Sequence, residues 1–185
     1  MRVNVGTAIF ITRLLRHEPQ LAGLHMDEHG WVSVQEVVDG VNAAGHHLTA
    51  DMLEEIVRTD KKGRFRFDDA HERIRACQGH TVPWVVPCMT YPEPPSRLYH
   101  GTTEDAWALI QASGVISRMQ RHAVHMQSAQ DKAWQSARRW HRRPVLLEID
   151  AQTMHRDGMA LGLTDNGVWC AESVPVRYVV QVLRP

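Results

Sequence analysis

The chain has 185 residues, enough for one domain or two small ones at the usual size of roughly 100 to 150 residues. Lys+Arg and Asp+Glu balance at 21 each, so no overall field holds nucleic acid by bulk counterion release, and any anion site must be local. Three cysteines without a CxxC argue against a disulfide framework or a zinc knuckle, and no stretch reaches the roughly 18 apolar residues of a membrane span.

The opening MRVNVGTAIFITRLLRHEP lacks a long uncharged apolar run and a cleavage site, so it is expected to be a helix rather than a signal peptide, in a soluble cytoplasmic protein. Ile11, Leu14 and Leu15 mark its inner face, and Pro19 sets its end near His17, because the residue before proline avoids helical geometry. Val34, Val37, Val38 and Val41 predict a second helix. Thr49 is placed to cap a third, running through Thr59 with Leu53, Ile56 and Val57 inward. RFRFD alternates with period two, DDAHER turns, and IRACQ supplies a second strand. Three short helices followed by a hairpin is the order of a winged-helix module.

Five of the nine prolines fall between Pro83 and Pro95, where neither helix nor central strand is comfortable. Residues 83–96 are therefore expected to be a linker between a first lobe, 1–82, and a second, 97–185. In the second lobe Thr102 or Thr103 caps a helix to Ser113 with Gly114 as its stop, and Ser128 with Asp131 starts another that reaches about Trp140. VISR, AVHM, VLLEID, GVWCA and VRYVVQVL read as strands, with Asp165-Asn166-Gly167 as a hairpin turn. The predicted class is α+β.

Of the 21 cationic side chains 18 are arginine, whose planar, permanently charged fork suits phosphate. Arg16 either caps helix carbonyls or meets an anion, and His17 is either solvated or a ligand. Arg75 makes a cross-strand bridge or binds a ligand, with Cys77 on its face and Ile74 and Ala76 on the other. Gln78-Gly79-His80 ends that strand, and His80 is either a turn histidine or a phosphate ligand. LYHGT sets His100, Gly101 and Thr102 where a strand enters a helix N-terminus, an arrangement able to receive a phosphate or a ribose. Arg118, Arg121 and His122 form a basic cluster on an expected loop.

His25 with His29 and His122 with His125 have helical spacings, but no HExxH or completing carboxylate set accompanies them, so no metal is expected. GxSxG, Walker and GxGxxG motifs are absent, which excludes the common hydrolase, NTPase and Rossmann readings.

Taken in order, LLRHEP, IRACQGH, LYHGT, RHAVHM and NGVW resemble the RNA 2′-phosphotransferase family over residues from about Arg13 to Val182. The resemblance implies a winged-helix lobe, a proline linker and a lobe related to ADP-ribosyltransferases. It implies an enzyme that uses NAD+ as co-substrate to remove an internal 2′-phosphate from RNA such as tRNA at a splice junction. The RNA 2′-phosphate attacks C1″ of the nicotinamide ribose, nicotinamide leaves, and the 2″-OH then attacks the phosphate. The products are 2′-OH RNA and ADP-ribose 1″,2″-cyclic phosphate.

The family's catalytic Arg-His-Arg-Arg set falls on Arg16, His17, Arg75 and Arg121, which with His80 would grip RNA phosphate. NAD+ positions fall on His100, His125 and Val168, with Gly101, Thr102 and Asn166 beside them. Guanidinium groups stay charged at neutral pH, so the arginines bind and stabilise charge, whereas His17 can shuttle a proton or act electrostatically. Departures from the pattern are Ala123 and Gln127 where an imidazole and a hydroxyl are usual, Leu161, Thr164, Cys77 and Thr81. A monomer without a membrane partner is expected. Alternative readings are an ADP-ribosyltransferase acting on terminal phosphates of nucleic acid, and a non-enzymatic winged-helix sensor of NAD+ or ADP-ribose.

Overall fold

In the computed structural model, which describes residues 5–139 and 142–185, the first helix α1 (Val5–Arg16) buries Ile11, Leu14 and Leu15 completely. Pro19 stops it and opens a 3-10 turn, Pro19–Ala22, that closes at Gly23 with φ 64°. The chain divides into two compact units between Cys88 and Met89.

In the first unit β1 (Val32–Ser33) runs straight into α2 (Val34–Ala43), and α3 (Ala50–Thr59) begins where Thr49 Oγ1 accepts from Met52 N at 3.2 Å. Then come β2 (Phe65–Phe67) and β3 (Arg73–Ala76). The sheet order is β1-β3-β2, all antiparallel, with Val32 opposite Ile74 and Arg66 opposite Arg75. The periodicity missed β1, because two residues are too few to show alternation. Leu14, Leu53, Ile74 and Phe65 lie in one apolar core that α1, α3 and the sheet share.

In the second unit β4 (Met89–Thr90) and β5 (Arg97–Thr103) precede α4 (Glu104–Ser113), β6 (Val115–Ser117) and β7 (Val124–Met126). They are followed by α5 (Gln130–Arg138), β8 (Pro144–Asp150), α6 (Ala151–Arg156) and β9 (Gly162–Thr164). The chain ends with β10 (Trp169–Ala171), β11 (Ser173–Pro175) and β12 (Val179–Leu183). Three antiparallel sheets result, ordered β4-β9-β10-β7, β11-β6 and β12-β8-β5. The whole is α+β.

Thr103, of the two threonines considered, caps α4 by accepting from Ala106 N, and Gly114 ends it at φ 76°. Ser128 does not cap α5. That helix starts after Ala129 without a side-chain cap, and its expected end at Trp140 lies outside the described residues. The segment Val176–Tyr178, expected as strand, is a 3-10 turn, and only Val179 onward pairs with β8. Among the described residues no helix is long and apolar enough to cross a membrane.

Candidate functional site

In the first unit α1 packs on β3, and the strand after Arg75 turns back along the end of the helix. Thr81 N donates to Arg16 O at 2.8 Å, and His17 Nδ1 lies 2.9 Å from Thr81 Oγ1. Gly79 holds φ 87°, and a Cβ there would stand 3.5 Å from Arg16 Cζ, so the guanidinium runs along the glycine. Arg16, His17 and Thr81 are thus brought together by one turn. The hydroxyl that Thr81 keeps is the one His17 uses.

Arg75 is 6% exposed, with its guanidinium 4.4 Å from the Trp31 ring centroid. Both faces of the strand are buried here, since Ile74, Ala76 and Cys77 are buried as well. The register partner of Arg75 on β2 is Arg66. Trp31 was not singled out by its sequence position. Its signal, an aromatic one residue before β1, the strand that pairs with β3, is readable only once β1 is known.

His80, expected either as a turn histidine or as a phosphate ligand, is buried. It is 1% exposed, both ring nitrogens are sealed from solvent, and Gly30 makes room for its ring, a Cβ there falling 3.0 Å from Nε2. In this structure the imidazole supports the turn from inside.

In the second unit His100 lies in the middle of β5, and its Nδ1 is 2.9 Å from His125 O. A carbonyl only accepts, so Nδ1 carries the proton and Nε2 of the neutral ring is an acceptor. Burial pushes the His100 pKa below its ordinary 6.5; the bond to His125 O opposes this, and the charges of Arg139 and Arg121 add to it. Arg121 also lowers Arg139, although burial is the larger cause there. Arg139, another cation of this cluster, was missed because it ends a helix whose last turn reads as ordinary basic surface.

Arg121 is presented by a turn stapled at both ends: Arg121 N donates to Arg118 O at 3.0 Å, and Arg118 Nη1 donates to Arg121 O at 2.8 Å. Arg118 is therefore the scaffold of this loop. The helical spacing of His122 and His125 has no helix beneath it, since His125 is in β7. Among the described residues no three His, Cys, Asp or Glu side chains gather as a metal site.

The β9–β10 hairpin is clamped by Thr164, whose Oγ1 accepts from Val168 N at 3.1 Å and lies 2.8 Å from Asn166 Oδ1. Val168 is buried with Ala123 and Cys170, and its amide and carbonyl are used inside the hairpin. At Gly101 a Cβ would meet Ala133 O at 2.5 Å, so this face of the glycine belongs to α5. Thr102 is 8% exposed. Burial pushes the Cys170 thiol up to about 12, which removes it as a thiolate nucleophile at neutral pH.

The lowered His100 pKa has a consequence for stability. Above pH 6.5 the ring is neutral in both folded and unfolded chain; below it the unfolded chain takes up a proton that the folded chain refuses. Stability should fall as pH drops below 6.5, down to the folded-state pKa. Denaturant midpoints from pH 7.5 to 5 should fall less steeply in His100→Asn than in the wild type, and equal slopes would show that His100 protonates freely.

Residues 3–173 match the family model described as RNA 2'-phosphotransferase, Tpt1 / KptA family. A probable RNA 2'-phosphotransferase of Pseudomonas syringae pv. tomato is 39% identical over 172 residues, covering 93% of this chain and 91% of that protein. Another, of Rhizobium leguminosarum bv. trifolii, is 41% identical over 178 residues, covering 96% and 94%. A solved Caulobacter crescentus protein is 18% identical over 48% of this chain and 84% of its own, with a TM-score of 0.38, too slight a likeness to assign a fold. On the family model and these relatives, the chain belongs to the RNA 2′-phosphotransferase family, which is a family of transferases.

Proposed function

We propose that this transferase uses NAD+ to take an internal 2′-phosphate from RNA, with a winged-helix-like first lobe and an ADP-ribosyltransferase-like second lobe. The observation that carries the reading is that each unit has its own group of cations beside an imidazole. In the first unit Arg16 and His17 meet at the turn that follows β3, the strand that carries Arg75, and in the second His100 feels the charges of Arg121 and Arg139.

The second cluster suits a dinucleotide. Nε2 of neutral His100 accepts from a ribose hydroxyl, while Arg121 and Arg139 meet pyrophosphate oxygens. His125 O holds His100 here, and the resemblance assigns Asn166, Gly101, Thr102 and Val168 to the same dinucleotide position. Arg16, Arg75 and Arg121 remain charged throughout and stabilise the phosphoryl oxygens as negative charge builds there. The RNA 2′-phosphate is itself the nucleophile toward C1″, so no serine or cysteine has to be activated. In the second step the 2″-OH attacks phosphorus, the RNA 2′-oxygen leaves, and His17, fixed by Thr81, moves the proton between them.

The test is to incubate the protein with NAD+ and a short RNA bearing one internal 2′-phosphate, without divalent metal, and to follow RNA and nicotinamide products. Dephosphorylated RNA with ADP-ribose 1″,2″-cyclic phosphate is expected. Unchanged RNA from folded protein that binds NAD+ would remove the assignment, and stable ADP-ribosylated RNA would shift it to a transferase that stops after the first step.

A further inference from the structure

We infer that Trp31 is a positioning residue for Arg75: its indole fixes the guanidinium by stacking and leaves the positive charge intact for a substrate phosphate. The inference rests on the reading of Arg75 as a phosphate-contacting residue.

The placement follows from the sheet. Antiparallel register pairs Ser33 with Arg73 and Val32 with Ile74, so Trp31, the residue just before β1, enters the sheet beside Arg75. The Arg75 Cζ accordingly lies 4.4 Å from the Trp31 ring centroid, and Arg73, two residues earlier in β3, lies at 5.5 Å from the same ring. Arg73 Nε lies 2.9 Å from Asp68 Oδ2, so its charge is met by a carboxylate. On the β2 side, the residue opposite Arg75 is Arg66.

A carboxylate at position 31 would also pin Arg75, but it would cancel the charge that an anionic substrate needs. An indole pins it through the ring face, where the quadrupole attracts a cation without carrying net charge. A guanidinium binds phosphate through N–H groups in its own plane, so stacking on its face and phosphate at its edge are compatible. Arg75 is 6% exposed and its Nε is sealed, so the ring restricts the remaining freedom of a side chain that is already nearly enclosed. Arg75 thereby meets phosphate preorganised, with little ordering left for the moment when charge develops.

The experiment compares Trp31→Phe and Trp31→Leu, each alone and with Arg75→Lys, in single-turnover removal of the 2′-phosphate from a short RNA with NAD+. Thermal midpoints are measured on the same samples. Trp31→Leu should slow the reaction roughly tenfold and Trp31→Phe about threefold, following the strength of the ring as a cation partner. In the Arg75→Lys background, where the planar fork is gone, Trp31→Leu should change the rate by less than about twofold.

A merely structural role would lower the rate by the same factor in both backgrounds. That result, a wild-type rate in Trp31→Leu, or equal deficits in the Phe and Leu variants would each overturn the inference. If Trp31→Leu does not fold, the Phe variant decides alone: its deficit vanishes with Arg75→Lys if Trp31 acts through Arg75 and persists if it does not. A wild-type rate in Arg75→Lys by itself sinks the reading of Arg75, and the inference with it, whereas any other failure leaves that reading standing.

Discussion

Arg75→Ala should lower the rate of 2′-phosphate removal by roughly 10²- to 10³-fold, the loss seen when one preorganised donor to a developing oxyanion is removed. The guanidinium is nearly enclosed, stacked at 4.4 Å over Trp31, and faces Arg66 across the strand pair. Removing the side chain gives up its packing on Trp31 and also removes a buried charge, so the two effects on stability oppose each other and the unit stays folded. Arg73→Ala is the internal control, because that guanidinium is more exposed and paired with Asp68; its rate should stay within about threefold of wild type. Single-turnover kinetics with circular dichroism on the same samples checks both. A wild-type rate in folded Arg75→Ala would take Arg75 out of the site.

The helices of the first unit and the caps of α3 and α4 were legible because each depends on local chemistry. Thr49 and Thr103 accept from the amide three residues on, Pro19 ends α1, and Gly114 adopts the left-handed conformation. What was not legible depends on partners distant in sequence. β1 is two residues long and exists because β3 lies beside it, so Trp31 carried no signal of its own. The same limit applies to His80 and Val168. That His80 packs beside Gly30 and Val168 beside Ala123 depends on segments far away in the chain, which one dimension does not show. The motif residues clustered as Arg16 with His17 and as His100 with His125, and the structure adds the atoms that hold each pair, Thr81 Oγ1 and His125 O.

Gly101 yields the largest effect expected on stability. The residue sits between His100 and Thr102 in β5, where α5 crosses so closely that a Cβ would meet Ala133 O at 2.5 Å, Ala137 N at 3.0 Å and Ala137 Cβ at 3.1 Å. Two of the three opposing atoms are helix backbone, so no rotamer change relieves the contact and α5 must move as a body. Ala133 and Ala137 are fully buried and pack with Leu146, which makes that movement open a void elsewhere. Overpacking of this kind costs about 1–3 kcal/mol, against which Gly→Ala returns about 0.4–1 kcal/mol by restricting the unfolded chain. Gly101→Ala should therefore lower the melting midpoint of the second unit by roughly 5–15 °C, at about 4–8 °C per kcal/mol for a domain of this size. It should also slow turnover, because the shift carries β5 and His100 with it. Adding Ala137→Gly removes the 3.1 Å contact but leaves the carbonyl at 2.5 Å, so the double variant should recover only a minor part of the midpoint. Full recovery would show that side-chain crowding, rather than the approach of the helix backbone, is what fixes glycine at this position.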